Sequence, residues 1–250
     1  MKHLSLAGSA ALVLTLAACG GSGGNNAANG GIAAPAAPIA NVAAPADADW
    51  TQTVTATERG FIMGNPNAPV KLVEYASITC PHCGQFSTEG GSEGIQNYVR
   101  SGRVSWEYRP YQIFQTDPGL FALLRCNGPA SFFSLTEQLY AEQQNWAARG
   151  QAYLEANRQA VEQMDVPTRT ATLVRETGVD AFFKQRGMTQ GQIDQCLADP
   201  RNLQRILDDT THAMQTDSPP GTPSFYINGQ LVQGNLWPQL EPALRTSVGG

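Results

Sequence analysis

The chain has 250 residues, 42% of them hydrophobic, with 16 Lys and Arg set against 21 Asp and Glu. That apolar content supports a packed globular core, and a net charge of −5 leaves no basic surface suited to nucleic acid. Five cysteines is an odd number, so pairing alone does not account for them.

The N-terminus supplies a use for the fifth. Met1-Lys2-His3 is a short positive region ahead of an apolar run over 4–18, too short to cross a bilayer and shaped like a secretory signal. It ends in Leu16-Ala17-Ala18-Cys19, which is similar to the bacterial lipobox, where cleavage precedes the cysteine and its sulfur receives a diacylglyceryl group. An ordinary signal peptide cut near Ala18, with Cys19 a spare thiol, is the alternative. Both remove residues 1–18 and place the protein in the cell envelope, where disulfides persist. Residues 19–50 are rich in Gly, Asn, Ala and Pro and carry no charge before Asp47. Such a segment cannot bury a core and is expected to be a disordered tether. Its length would give a reach on the order of 30 Å.

Order is expected from Trp50. Residues 51–57 alternate with β-branched side chains and predict an edge strand, and Gly64-Asn65-Pro66-Asn67-Ala68-Pro69 predicts a turn. Val70 to Ala76 is then a central strand leading into Cys80-Pro81-His82-Cys83, where a helix should begin. The unpaired N–H groups of a helix start carry partial positive charge, which favours thiolate over thiol at Cys80. His82 can add a positive partner or a donor. A C-x-x-C at a strand-to-helix turn is a thioredoxin-like redox signature. The competing use is half of a zinc site, but structural zinc needs four ligands and the sequence has no second C-x-x-C. Glu74 should point inward beneath the cysteine pair, the alternative being an exposed strand carboxylate.

The helix after Cys83 is interrupted by Gly90, Gly91 and Gly94, so a break is expected before Ile95–Arg100 resumes. Residues 103–109 read as the next strand. From Asp117 to about Thr216 the periodicity is helical, opening with Asp117 as N-cap and Pro118 at the first helical position. Expected core stripes are Phe132, Leu135 and Leu139; Tyr153, Asn157, Ala160, Val161 and Met164; Ile193, Cys196 and Leu197; and Leu203, Ile206, Leu207, Thr210 and Met214. Thr189 and Gln192 form a capping-box pattern. Cys126 and Cys196 both face this helical core, and in an oxidising compartment a structural disulfide is expected, with two buried free thiols as the alternative. Strands return at 224–227 and 230–232 about the hairpin signal Asn228-Gly229, and a helix over 236–246 closes the chain.

Cys80-Pro81-His82-Cys83 after its strand, the stretch Gly221-Thr222-Pro223-Ser224-Phe225-Tyr226-Ile227-Asn228-Gly229, the turn at 64–69 and the helical insertion together resemble the DsbA group of bacterial thiol oxidases. The resemblance covers about residues 55–248. It implies an α/β fold, a thioredoxin-like mixed sheet of four or five strands with helices on both faces. The domain would comprise 51–114 and 217–250, with a helical subdomain inserted at 115–216. It also implies a cis Pro223 beside Cys80, a plain trans turn proline being the commoner alternative. Thr222 would offer backbone groups to a passing polypeptide, and Glu74 would assist proton transfer at Cys83. No bound cofactor or metal is implied. The expected partners are reduced secreted polypeptides and a membrane protein that reoxidises the pair, and the protein is expected to be a periplasm-facing monomer anchored through lipid on Cys19. Threonine before the cis-proline also occurs in disulfide isomerases of the same fold. A reductase or isomerase is therefore the second reading, although Pro81-His82 stands where reductases more often carry Gly-Pro. A non-catalytic polypeptide-binding lipoprotein is the third.

Overall fold

The structure is a computed structural model and describes residues 31–46 and 48–250. Residues 1–30, including the expected signal and Cys19, lie outside the described residues.

Six strands form one mixed sheet: β1 (Val54–Ala56), β2 (Phe61–Gly64), β3 (Val70–Ala76), β4 (Val104–Pro110), β5 (Ser224–Ile227) and β6 (Gln230–Leu231). Their order is β1-β2-β4-β3-β5-β6, with β3 and β4 parallel and every other pair antiparallel. The sheet exceeds the expected four or five strands because β2 was not legible. Phe61-Ile62-Met63 is a short apolar run hard against the turn at Asn65, and tertiary pairing with β4 makes it a strand. Asn228 and Gly229 both have positive φ (49° and 81°) and turn β5 into β6 in two residues.

Alternation along β3 sorts its side chains. Val70, Leu72 and Ala76, on the same face as Glu74, join the main core, while Tyr75 faces a smaller cluster with Tyr226 and Ala213. A β3 carboxylate at position 74 is thereby carried into the protein rather than out to water.

The helix that starts at the cysteine pair is α1 (Pro81–Thr88), followed by α2 (Gly91–Arg100). Gly90 between them has φ +92°, a left-handed conformation that ends one helix and starts the next. A β-carbon at Gly94 would lie 2.3 Å from the Trp237 ring, so this helical glycine makes room for the C-terminal helix. The chain from Asp117 to Thr216 holds α3 (Asp117–Cys126), α4 (Phe132–Ala141), α5 (Gln143–Glu162), α6 (Val166–Thr177), α7 (Val179–Gln185), α8 (Gln190–Ala198) and α9 (Pro200–Thr216). The last helix, α10 (Trp237–Ser247), packs on α2 and β5. Cys126 at the end of α3 is bonded to Cys196 in α8, 70 residues away.

Three expectations are corrected. Of the stripe expected along α5, only Val161 is buried, because the helix kinks at Asn157 and its second half turns an open face to solvent. In α9 the buried face runs through Leu203, Ile206, Asp209 and Ala213, leaving Leu207 and Met214 outside; Asp209 turns inward to meet Arg59 at 3.6 Å. Residues 32–46, expected within the tether, lie along the domain as an extended strap. Ile39 N–H donates to Val248 O (3.0 Å), Val42 N–H donates to Ser101 O (2.9 Å), and Trp50 Nε1 donates to Val42 O (2.8 Å). Ile32, Ile39 and Ala44 pack against the core. An Ala- and Pro-rich chain loses little entropy on straightening, so a few apolar contacts and backbone bonds suffice to hold it.

Candidate active site

Cys80 is the N-cap of α1, with extended backbone (φ −74°, ψ 120°), and Pro81 is the first helical residue. Proline there costs nothing, since its missing N–H would have had no helical partner. The cap position turns the free N–H groups of the first turn toward the cysteine sulfur. Both cysteines are free thiols; Cys80 is 5% and Cys83 1% exposed.

The loop from β3 to α1 is held from the insertion. Asp117, fully buried, accepts hydrogen bonds from Ser77 Oγ (2.9 Å), Thr79 N–H (3.2 Å) and Thr79 Oγ1 (2.9 Å) on one side. On the other it accepts from the N–H groups of Ile113 (2.8 Å) and Phe114 (3.0 Å). Expected as an N-cap, Asp117 is instead the first residue of α3, with Thr116 at the cap. Its carboxylate turns back to tie two loops together. Gln143 at the start of α5 donates from Nε2 to Ile78 O (2.7 Å) and Cys80 O (2.9 Å). Tyr140 donates to Ser77 O (3.1 Å). The residues just before the nucleophile are thus pinned by three side chains from α3, α4 and α5. Sequence reading missed all three roles, because nothing in their local spacing connects them to position 80.

The two thiols are driven apart electrostatically. The Cys80 pKa falls to about 5, chiefly because the Cys83 thiol donates to its sulfur. Burial opposes the fall, while Thr222 and the N–H groups of Cys83 and His82 assist it. Burial and the neighbouring Cys80 push Cys83 well above the ordinary thiol value. Below them Glu74 is 3% exposed and accepts a hydrogen bond from Trp106 Nε1 (2.9 Å). Burial raises its pKa to about 8, with the charge of Glu137 adding to the rise. Glu74 is therefore mostly protonated at neutral pH and can supply a proton on the Cys83 side.

Thr222 and Pro223 stand across from the pair, joined by a cis peptide bond. The Cys80 thiol donates to Thr222 O at 3.2 Å. The Thr222 hydroxyl is buried with no hydrogen-bond partner. One residue thus offers an acceptor to the thiol and, after ionisation, an unused donor to the thiolate. His82 is exposed. Its backbone N–H is one of the donors that favour the Cys80 thiolate.

The sequence profile of a family described as thioredoxin matches residues 56–243. The chain belongs to that thioredoxin family. A crystal structure described as a protein-disulfide isomerase from Novosphingobium aromaticivorans is 29% identical, with a TM-score of 0.71 over 76% of this chain and 97% of that one. Wolbachia pipientis alpha-DsbA1 superposes with a TM-score of 0.59 at 18% identity, over 75% of this chain and 90% of that one, and shares the fold. A protein of Rickettsia bellii, provisionally named a protein-disulfide oxidoreductase, is 24% identical over 69% of this thioredoxin-family chain. That match covers 58% of the relative, so the chain spans little more than half the length of the curated relatives it matches.

Proposed function

We propose that the protein is a DsbA-type thiol:disulfide oxidoreductase of the cell envelope that donates its Cys80–Cys83 disulfide to secreted polypeptides. The observation that carries this reading is Cys80 at the N-cap of α1, its thiol facing Thr222 O at 3.2 Å beside the cis Thr222–Pro223 bond. A substrate thiolate attacks Cys80 Sγ of the oxidised pair. The Cys80–Cys83 bond breaks, a mixed disulfide forms, and Cys83 leaves with the bonding electrons and takes a proton, for which protonated Glu74 is the nearby acid. A second substrate thiolate then attacks the substrate sulfur of the mixed disulfide. The substrate disulfide forms and Cys80 departs as a thiolate, stabilised by the first-turn N–H groups and Thr222. Two electrons pass from substrate to protein, and a membrane redox partner must remove them for turnover. Exchange favours the lower-pKa thiol as leaving group, which is Cys80. In this reading residues 1–18 are a signal peptide and Cys19 carries the lipid, so the domain works on the periplasmic side of a membrane as a monomer.

The isomerase reading draws support from the name of the Novosphingobium relative. Equilibration with glutathione separates an oxidant from a reductant. A Cys80–Cys83 potential clearly above that of glutathione, with the reduced form melting higher than the oxidised form, is the expected result. A potential below it, or a more stable oxidised form, would overturn the oxidase reading. Detergent-free release of the wild-type protein from membranes would overturn the anchor.

A further inference from the structure

We infer that Gln143, the first residue of α5, is a positioning residue that sets the reactivity of Cys80, and that residue 84 is glycine because Gln143 stands where its β-carbon would lie. The inference rests on the exchange reading above in taking Cys80 as the reacting sulfur. It names the residue through which the helical insertion acts on that sulfur.

The two amide hydrogens of Gln143 Nε2 go to Ile78 O (2.7 Å) and Cys80 O (2.9 Å), on either side of the rotatable bonds of Thr79 and Cys80. Cys80 O also accepts the first helical bond, from Gly84 N–H (3.1 Å), so it turns with α1 as one body. Gln143 therefore clamps the helix to the loop that enters it, with the backbone of Cys80 as the hinge. The angle of that hinge decides where the sulfur lies relative to the first-turn N–H groups. Those groups are few. Pro81 has none and that of Gly84 is spent on Cys80 O, which leaves His82 and Cys83. Hydrogen bonds weaken steeply as they bend, so with two donors a small turn of the helix is felt by the thiolate. Asp117 and Tyr140 act earlier, on Ser77 and Thr79.

Packing places the clamp. Gln143 is 7% exposed, and Trp146 Nε1 donates to Leu139 O (2.8 Å), tying the start of α5 to α4, which itself packs on α1. Room for the amide is taken from α1. A β-carbon on Gly84 would lie 2.4 Å from Gln143 Oε1 and 3.0 Å from its side-chain carbonyl carbon, closer than such atoms can stand. Gly84 does not have positive φ, and glycine weakens a helix interior. The close approach of Gln143 is what the glycine serves.

The test is the pH dependence of Cys80 alkylation in the reduced protein. Gln143→Ala removes the clamp, and Gly84→Ala keeps its donors but displaces them. Each should raise the midpoint from near 5 by about one unit, the worth of one hydrogen bond to a charged group. In the double variant the new β-carbon meets no amide, so its midpoint should equal that of Gln143→Ala alone. Alanine suits a helix better than glycine, so Gly84→Ala keeps the test valid if Gln143→Ala disturbs the loop. Cys126→Ala, which opens the disulfide between α3 and α8, should leave the midpoint near 5. An unmoved midpoint in either single variant, shifts that add in the double variant, or an equal shift in Cys126→Ala would overturn the inference. Glutathione equilibration of the wild-type protein reports on the oxidase reading separately. A reducing potential would overturn that reading and leave the two shifts in place, and unmoved midpoints would remove the clamp without touching the potential.

Discussion

Two cysteine pairs share this fold and behave oppositely. Cys126 and Cys196 join α3 to α8 across 70 residues in a disulfide. Cys80 and Cys83 share one helical turn, remain free, and have pKa values displaced in opposite directions. Cys80, Cys83 and Cys196 are buried, whereas Cys126, expected to face the helical core, is exposed at the end of its helix. What differs is polar company. The redox pair sits where helix N–H groups, the Thr222 hydroxyl and a buried acid converge, while the distant pair has the neutral Asn202 amide beside it. Reactivity here comes from the donors around the sulfur, and stability comes from the length of chain the bond closes.

The sharpest way to break that contrast is to remove one cysteine from each pair. Cys126→Ala should lower stability by roughly 4 kcal/mol on the chain-entropy account of a loop this long, measured by denaturant unfolding, with dithiol oxidation retained at low temperature. Cys80→Ser should abolish dithiol oxidation and leave the unfolding midpoint of the reduced protein little changed at low pH. If Cys126→Ala silenced exchange as fully as Cys80→Ser, the division between the pairs would be wrong.

Glu74→Gln should come next. Glu74 has a folded pKa raised to about 8 from 4.5. Its protonated form therefore favours folding below pH 4.5, and that contribution is lost as pH rises through about 8. Glutamine keeps a neutral group at the site, so the variant should gain stability over wild type between pH 7 and 9. It should also slow the departure of Cys83 from the Cys80–Cys83 disulfide, and with it formation of the mixed disulfide, at neutral pH. Stability curves of the two proteins that stay parallel from pH 5 to 9 would contradict the buried-acid assignment.

Smaller shifts distinguish the donors around Cys80. Its pKa is depressed, so the thiolate contribution to reduced-state stability is present above the ordinary thiol value and is lost as pH falls through about 5. Alkylation rate against pH should therefore show a midpoint near 5. Thr222→Val removes the free hydroxyl and should raise that midpoint by about one unit, the worth of one hydrogen bond to a charged group. His82→Ser should move it less than Thr222→Val, because the backbone N–H survives the substitution. A larger shift from His82→Ser would restore the imidazole to the site.

How much of this was legible follows from which contacts are local. The strand, the C-x-x-C and the helix start lie together between Val70 and Cys83, and their chemistry is read from spacing alone. Glu74 follows from alternation along β3, and the hairpin from Asn228-Gly229. Asp117, Tyr140 and Gln143 escape because each acts on a loop some 40 to 65 residues away. An Asp before Pro looks like a cap from its neighbours, and only the folded loop shows which N–H groups it accepts from. The face of α5 misled for the complementary reason. Periodicity reports that a helix has an apolar side, but not whether another element of the chain covers it.

The strap over residues 32–46 has a mechanical consequence. It is fastened to Val248 at the end of α10 and to Ser101 just before β4, beside the end of the sheet where β3 and β4 begin. Cys80 emerges from the other end of β3, about 20 Å along a strand of seven residues. A pull arriving through residue 32 is taken up by backbone bonds to the C-terminal helix and the α2–β4 turn, and it reaches the loop at 77–80 only through the whole length of the sheet. The protein can be held at one pole while the opposite pole, with its sulfur, swings freely toward whatever passes.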